Sequence, residues 1–162
     1  MVEICIKPLD DNSPEDILRT LFAHALTAAD PMICVPDNLP ELPAQGRVVV
    51  VGAGKASAAM AKAVEEEARR QHWLERVEGI VVTRYGHGVA CARIEIVEAS
   101  HPVPDAAGDA ATQRILNLVK ELKAEDTLIC LVSGGGSALL ALPADGISTA
   151  EKAKINRALL RS

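Results

Sequence analysis

A run of three glycines between two serines is the first feature of this sequence that could do chemistry. The residues Ser133-Gly134-Gly135-Gly136-Ser137 directly follow the apolar run 128–132. Glycine loses more backbone entropy on folding than any other residue, so three in succession are costly unless the backbone turns tightly or lies against something. Backbone N–H groups at the exit of a buried strand can bind an anion. The run therefore predicts an anion-binding loop, with a plain strand-to-helix turn as the simpler alternative.

A second glycine-containing segment follows the β-branched run 48–51 and reads Gly52-Ala53-Gly54-Lys55-Ala56-Ser57. It is not a P-loop, because position 49 is Val and Lys55 is followed by Ala. It has the GxG of a dinucleotide fingerprint, but Ser57 occupies the third glycine position and no ribose-binding acid follows at the expected distance. The next strand is expected to end in Thr83-Arg84, where the arginine could accept a 2′-phosphate. An NADP site therefore stays open.

Lys55 lies at the expected start of a helix, where the positive end of the helix dipole disfavours a cation. An anionic ligand such as a phosphate or a carboxylate would remove this conflict. The alternative is a solvated lysine in the first helical turn, and the spacing alone does not decide between the two.

Two histidines lie in loops. His87 stands between Gly86 and Gly88, and His101 precedes the segment Pro102-Val103-Pro104. Either imidazole could donate a hydrogen bond or act as an acid or base, and either could be an ordinary loop residue. The sequence has no cluster with metal-ligand spacing. Ser137 is not at a nucleophile elbow, because no glycine follows two residues later.

The elements that would position these residues alternate between strands and helices. Short apolar runs are expected to form strands at residues 47–51, 79–83, 93–98 and 128–132. Helices are expected to start at Ser13, Ala56, Asp105 and Ser148, where capping residues or helical periodicity begin. This order predicts an α/β fold, a three-layer Rossmann-like domain with a mainly parallel sheet and helices on both faces. The candidate residues then share the carboxyl edge of the sheet, where ligands bind in such folds.

Composition limits the function classes. A net charge of −5, a pI near 5.4 and an aromatic content of 2% argue against a nucleic-acid partner. No apolar stretch reaches the ~18 residues that a membrane span needs, and the four cysteines form no CxxC pair. We expect one cytoplasmic domain over residues 1–162. The oligomeric state is not defined by the sequence, and a homodimer is one alternative.

Taken in order, four segments resemble the class II glycerate kinases, the glycerate 2-kinase family whose members were often labelled hydroxypyruvate reductases. The resemblance runs from about Arg19 to the end of the chain, and the segments are 50–56, 85–88, 101–105 and 131–139. It implies ATP-dependent phosphorylation of D-glycerate, at the 2-hydroxyl, with a divalent cation such as Mg²⁺. It also implies that Lys55 is catalytic and that residues 133–137 hold nucleotide phosphates. Gly52, Gly54 and His101 match family motifs as further cofactor-binding and catalytic candidates, while the roles of His87 and His101 are not defined.

The resemblance also implies a longer protein. Members of the family have about four hundred residues, with a second domain that closes the cleft. We therefore expect this chain to be an N-terminal lobe that is inactive, or nearly so, by itself. Two alternatives remain at this stage. One is a hydroxypyruvate reductase that uses NADH or NADPH, and the other is a non-catalytic module that binds a sugar phosphate.

Overall fold

The computed structural model describes residues 13–162 of the chain. Helices and strands alternate along these residues, with two short 3-10 turns at Pro36–Asn38 and Leu74–Arg76. The helices are α1 Pro14–Ala28, α2 Pro31–Cys34, α3 Ser57–Arg70, α4 Ala106–Lys120 and α5 Thr149–Leu159, and the strands are β1 Val48–Gly54, β2 Val77–Arg84, β3 Ile94–Ala99 and β4 Thr127–Ser133. The predicted α/β fold is confirmed.

All four strands are parallel and lie in the order β3-β2-β1-β4. Side chains alternate between the two faces of a strand, so each face of the sheet has its own core. Val48 and Val50 pack against α3, whereas Val49 and Val51 pack against α4. The predicted helices on both faces are therefore present. This arrangement brings the carboxyl ends of all four strands to one edge of the domain.

The run 128–132 forms a strand as predicted, but this strand is buried on one face only. Strand β4 pairs only with β1 among residues 13–162, and it lies at the edge of the sheet. Ile129 and Leu131 are buried against α3, but Leu128, Cys130 and Val132 are exposed on the other face. An uninterrupted apolar run does not distinguish a strand covered on both faces from one covered on a single face. Cys130, in the middle of this apolar run, is an exposed free thiol.

Side-chain caps are present at three of the four predicted helix starts, whereas α3 begins after Ala56 without one. The side chain of Ser13 accepts a hydrogen bond from Asp16 N, and that of Asp105 accepts one from Gly108 N. Ser148 and Glu151 form the predicted capping box of α5. Helix α1 ends at Ala28, just before Asp30, whose side chain caps the short helix α2. None of the helices in residues 13–162 is long and apolar enough to cross a membrane.

Candidate functional site

A cavity of about 540 Å³ opens where β1 and β4 end side by side. Its volume is in the range of small-molecule sites. Three parts of the chain form its wall: the turn after β1, the loop before α4, and the glycine loop after β4 together with helix α5. The lining residues are Lys55, His101, Pro102, Ser133, Gly134, Gly135, Ser137, Ala138, Asn156, Leu159 and Leu160.

Lys55 lies in the turn between β1 and α3, two residues before the helix begins at Ser57. Its carbonyl oxygen accepts a hydrogen bond from the hydroxyl of Thr83, at 3.3 Å. The next residue is held as well, since Ala56 N donates to Ser133 Oγ at 3.1 Å. The side chain is exposed and forms no ion pair with any of residues 13–162. The backbone is thus fixed, while the ammonium group is left for a ligand.

The glycine loop carries unbonded backbone donors. Residues 134–138 lie outside the helices and strands, and their N–H groups donate no hydrogen bond to another residue of the described part. Gly134 has a φ of +67°, which favours glycine, and a Cβ built on Gly134 or Gly135 would meet nothing within 4 Å. Gly135 has neither a positive φ nor a close neighbour, so packing does not explain why it is glycine. Backbone amides without a partner, in a loop with open space beside Gly134 and Gly135, are what an anion-binding loop requires.

Ser133 connects this loop to the lysine turn. Its Oγ accepts the hydrogen bond from Ala56 N, which leaves its own O–H free to donate. The residue lines the cavity and is half-buried. Ser133 can therefore hold the two loops together and still contact a ligand.

Gly52, Gly54 and Gly136 were predicted to bind a cofactor, and the structure places none of them in the cavity wall. A Cβ on Gly52 would lie 2.2 Å from the carbonyl oxygen of Leu131, and one on Gly54 would lie 2.5 Å from that of Ser133. A Cβ on Gly136 would lie 3.2 Å from the Cβ of Ala53. These glycines let β4 and its loop approach β1 closely. A direct role in cofactor binding stays a prediction for them.

The two candidate histidines lie in different places in the structure. His101 lines the cavity and is half-buried, whereas His87 lies in the loop after β2 and is not among the lining residues. The loop after β2 is held by a different contact, in which the Tyr85 hydroxyl donates to Asp105 Oδ2 at 2.8 Å. Burial of Asp105 disfavours its charged form, but this bond and one from Gly108 N outweigh the effect and lower the pKa of the carboxyl.

The sequence reasoning missed the helix that forms the outer wall. Asn156 and Leu159 of α5, and Leu160 directly after it, line the cavity. The capping box predicted that a helix begins at Ser148, but it carried no information on where that helix would pack. The Thr149 hydroxyl donates to Asp109 Oδ2, and this bond joins the start of α5 to α4.

The donor set fits an anion better than it fits a metal ion. Lys55, the ring of His101, the Ser137 hydroxyl and the free amides are all able to donate hydrogen bonds. In the part of the chain that the structure describes, no group of three His, Cys, Asp or Glu side chains is placed to hold a metal ion. The arrangement can therefore bind and orient a phosphate or carboxylate.

Comparisons with known proteins agree on one group of relatives. The model of a domain of unknown function, DUF4147, matches residues 17–162. A protein of Agrobacterium vitis with the name "Putative hydroxypyruvate reductase" is 48% identical over 159 residues, covering 98% of this chain and 35% of that protein. The D-glycerate 2-kinase of Thermotoga maritima is 39% identical over 154 residues, covering 94% of this chain and 36% of that protein. The crystal structure of a glycerate kinase from Thermotoga maritima has a TM-score of 0.75 and 38% identity over 91% of this chain and 36% of that one. The chain thus spans about a third of the length of these relatives.

Proposed function

The chain belongs to the DUF4147 family, and from this premise we propose that it forms the N-terminal lobe of an ATP-dependent kinase that phosphorylates D-glycerate to 2-phosphoglycerate. The observation that carries the proposal is the set of unbonded N–H groups at residues 134–138 beside the unpaired ammonium group of Lys55. A kinase relative that is 39% identical supports the choice of reaction.

In this proposal residues 133–137 hold the phosphates of ATP through backbone N–H groups. Lys55 neutralises charge on the γ-phosphoryl group as it is transferred. Phosphoryl transfer depends mainly on such positioning and charge stabilisation. Backbone amides and one lysine are therefore sufficient for the part of the reaction that this lobe contributes. A bound divalent cation such as Mg²⁺ would neutralise further phosphate charge, and we expect its protein ligands to come from the second domain.

The phosphoryl group is transferred directly to the substrate, without a covalent enzyme intermediate. The 2-hydroxyl oxygen of D-glycerate forms a bond to the γ-phosphorus, and the bond from that phosphorus to the bridging oxygen breaks. ADP leaves with the bonding electron pair, and the hydroxyl proton must be accepted. His101 is the candidate acceptor, because it is the histidine that lines the cavity. We place this activity in the cytoplasm and in glycerate metabolism as part of the same proposal.

The lobe alone should bind ligands and turn them over poorly. The experiment compares the chain with a chimera in which residues 17–162 replace the matching third of the Thermotoga maritima D-glycerate 2-kinase. We expect ADP release from ATP and D-glycerate in the chimera and little or none from the chain, which should still bind ADP in calorimetry. A chimera that folds and releases no ADP, or a chain that binds no nucleotide, would contradict the proposal.

A second candidate is a hydroxypyruvate reductase, favoured by the name of the Agrobacterium vitis relative. Two features of the structure weigh against a nicotinamide cofactor at β1. Gly52 and Gly54 accommodate β4, and the hydroxyl of Ser57, in place of the third glycine, is buried against the carbonyls of Gly54 and Val82 at 2.7 and 2.9 Å. Oxidation of NADH or NADPH by hydroxypyruvate, with no ADP release from glycerate, would favour the reductase. Phosphate binding with neither reaction would favour the non-catalytic module.

A further inference from the structure

Helix α5 presents one polar side chain to the cavity. Asn156 lies one turn after Ala153, which is buried, so both residues are on the inward face of the helix. The start of the helix is held by its capping box and by the hydrogen bond from Thr149 to Asp109. The position of Asn156 is therefore set by packing and by polar contacts at the other end of the helix.

The amide of Asn156 has no partner among the residues that the structure describes. The residue is half-buried, and its side chain makes no hydrogen bond with any of residues 13–162. Its neighbours in the wall are Leu159 and Leu160, which offer neither donors nor acceptors. Because the residue is half-buried, water can bond to the amide in the free protein, and a ligand that displaces this water must supply the hydrogen bonds in its place.

Charge divides the cavity into two sides. Lys55, His101 and the glycine loop lie on the side of the strands, and they can bind phosphate and carboxylate oxygens. The α5 side contributes a neutral amide between leucines, which suits an uncharged carbon chain that ends in a hydroxyl. D-glycerate has this division, with a carboxylate at one end and a CH₂OH group at the other.

We propose that Asn156 binds the 3-hydroxyl of D-glycerate and is the residue that selects glycerate over acids without that hydroxyl. This inference rests on the proposed function, since it takes glycerate as the substrate. The amide NH₂ donates to the hydroxyl oxygen and the amide oxygen accepts its proton. Asn156 then acts in substrate selection and leaves nucleotide binding to the opposite side.

The test is a titration of the isotopically labelled chain with D-glycerate, D-lactate and ADP, followed by NMR chemical shifts. D-lactate is D-glycerate without the 3-hydroxyl. The unmodified chain should bind D-glycerate at least ~10-fold more tightly than D-lactate, because a site built to bind a hydroxyl leaves polar groups unpaired with the analogue. Asn156→Ala should reduce this ratio to ~3 or less and change ADP affinity by less than ~2-fold.

Two further variants keep the inference falsifiable. Asn156→Asp preserves the shape and should weaken D-glycerate binding more than Asn156→Ala does, because it adds a negative charge near an anionic ligand. Asn117→Ala is the matched control on the exposed surface of α4, where Asn117 accepts a bond from Gln113, and it should keep the ratio of the unmodified chain.

The outcomes separate this inference from the proposed function. An unchanged ratio in Asn156→Ala, with glycerate and ADP still bound, overturns the role of Asn156 alone. A collapsed ratio in Asn117→Ala also overturns that role. An unmodified chain that binds neither glycerate nor lactate overturns both the inference and the proposed function.

Discussion

The two ends of the parallel sheet satisfy their polar groups in different ways. At the amino end, Arg47 pairs with Asp126 and Glu78, each at 2.8 Å, and also donates to the carbonyl oxygen of Glu121. Arg76 and Arg93 donate to further carbonyls at the same end. At the carboxyl end, Lys55 forms no ion pair with the described residues, and the N–H groups of residues 134–138 donate to none of them.

This difference separates residues that hold the fold from residues that are available for a ligand. Arginines at the amino end are hydrogen-bonded to carboxylates and carbonyls in and around the segments that lead into β1, β2 and β4. The donors at the carboxyl end are positioned by the backbone but are not saturated. Substitutions should therefore affect stability at one end and ligand binding at the other.

The largest effect is expected from Lys55→Met in the chimera described above. Loss of the ammonium group should reduce kinase turnover by ~10²–10³-fold, the range for removing one charge-stabilising donor. The midpoint of urea unfolding should stay unchanged, because Lys55 forms no ion pair with the described residues. Lys120→Met, at an exposed position on α4, is the control and should retain full turnover. Equal activity of the two variants would remove Lys55 from the proposed mechanism.

A pair of glycine substitutions separates fold from ligand binding at the carboxyl end itself. Gly52→Ala would bring a Cβ to 2.2 Å from Leu131 O and should destabilise the fold by ~3 kcal/mol, because β1 and β4 must move apart. Gly135→Ala meets nothing within 4 Å and should change stability by less than ~0.5 kcal/mol. It should weaken ADP binding by ~10-fold, because its methyl group occupies space next to the phosphates.

Urea unfolding and ADP calorimetry on both glycine variants provide the measurements. If Gly135→Ala destabilises the protein as much as Gly52→Ala does, the glycine loop is part of the fold and its open space is not a ligand site.

At the amino end, Asp126→Asn should lower the unfolding midpoint by roughly 5 °C. The hydrogen bond from Arg47 holds the pKa of Asp126 well below its usual range, with backbone N–H groups of Lys123 and Arg47 adding to the effect. A lowered pKa means that this stabilisation is present above the ordinary carboxyl pKa and is lost as the pH falls through the lower folded-state value. When the pH is lowered from 7 to 3, the midpoint of thermal unfolding should fall less in the variant than in the unmodified chain.

The control for Asp126 is Glu78→Gln, which removes the other carboxylate bound to Arg47. Glu78 is 44% exposed and Asp126 is 3% exposed, so the surface pair should matter much less. A larger loss in Glu78→Gln than in Asp126→Asn would contradict this account of the amino end.

The elements were more predictable than their environment. β-branched runs and capping residues are local signals, and they gave the strands and most helix starts correctly. Whether β4 is covered on both faces depends on what lies beside it, and an apolar run such as 128–132 contains no such information. The same holds for the site. Its glycines and its lysine lie at strand ends and were predicted from the sequence, but Asn156 was not. Its place opposite Lys55 results from the packing of α5, to which no motif in the sequence corresponds.

The smallest expected effect concerns Asp109, which positions the α5 wall from the first turn of α4. One carboxyl oxygen accepts the hydrogen bond from Thr149, and the other is buried without a partner in the described residues. Burial raises the pKa of the carboxyl, with Asp105 nearby adding to the effect and Lys152 opposing it. A raised pKa favours the protonated form in the folded state, so its contribution to stability is present at low pH and is lost as the pH rises through the folded-state pKa.

Asp109→Asn should therefore remove a shallow fall in stability that begins near pH 4, where an ordinary aspartate ionises. Its amide oxygen still accepts from Thr149, so the α5 wall and the affinity for D-glycerate should be retained. Asp109→Ala lacks that acceptor and should weaken glycerate binding by ~3-fold, since α5 is then less firmly placed. Urea unfolding at pH 4, 5.5 and 7 measures the slope, with the exposed Asp145→Asn as the control that keeps it. If the dependence of stability on pH is the same in Asp109→Asn as in the unmodified chain, a contact other than the one with Thr149 stabilises the buried carboxyl. The α5 wall then does not depend on the charge of Asp109.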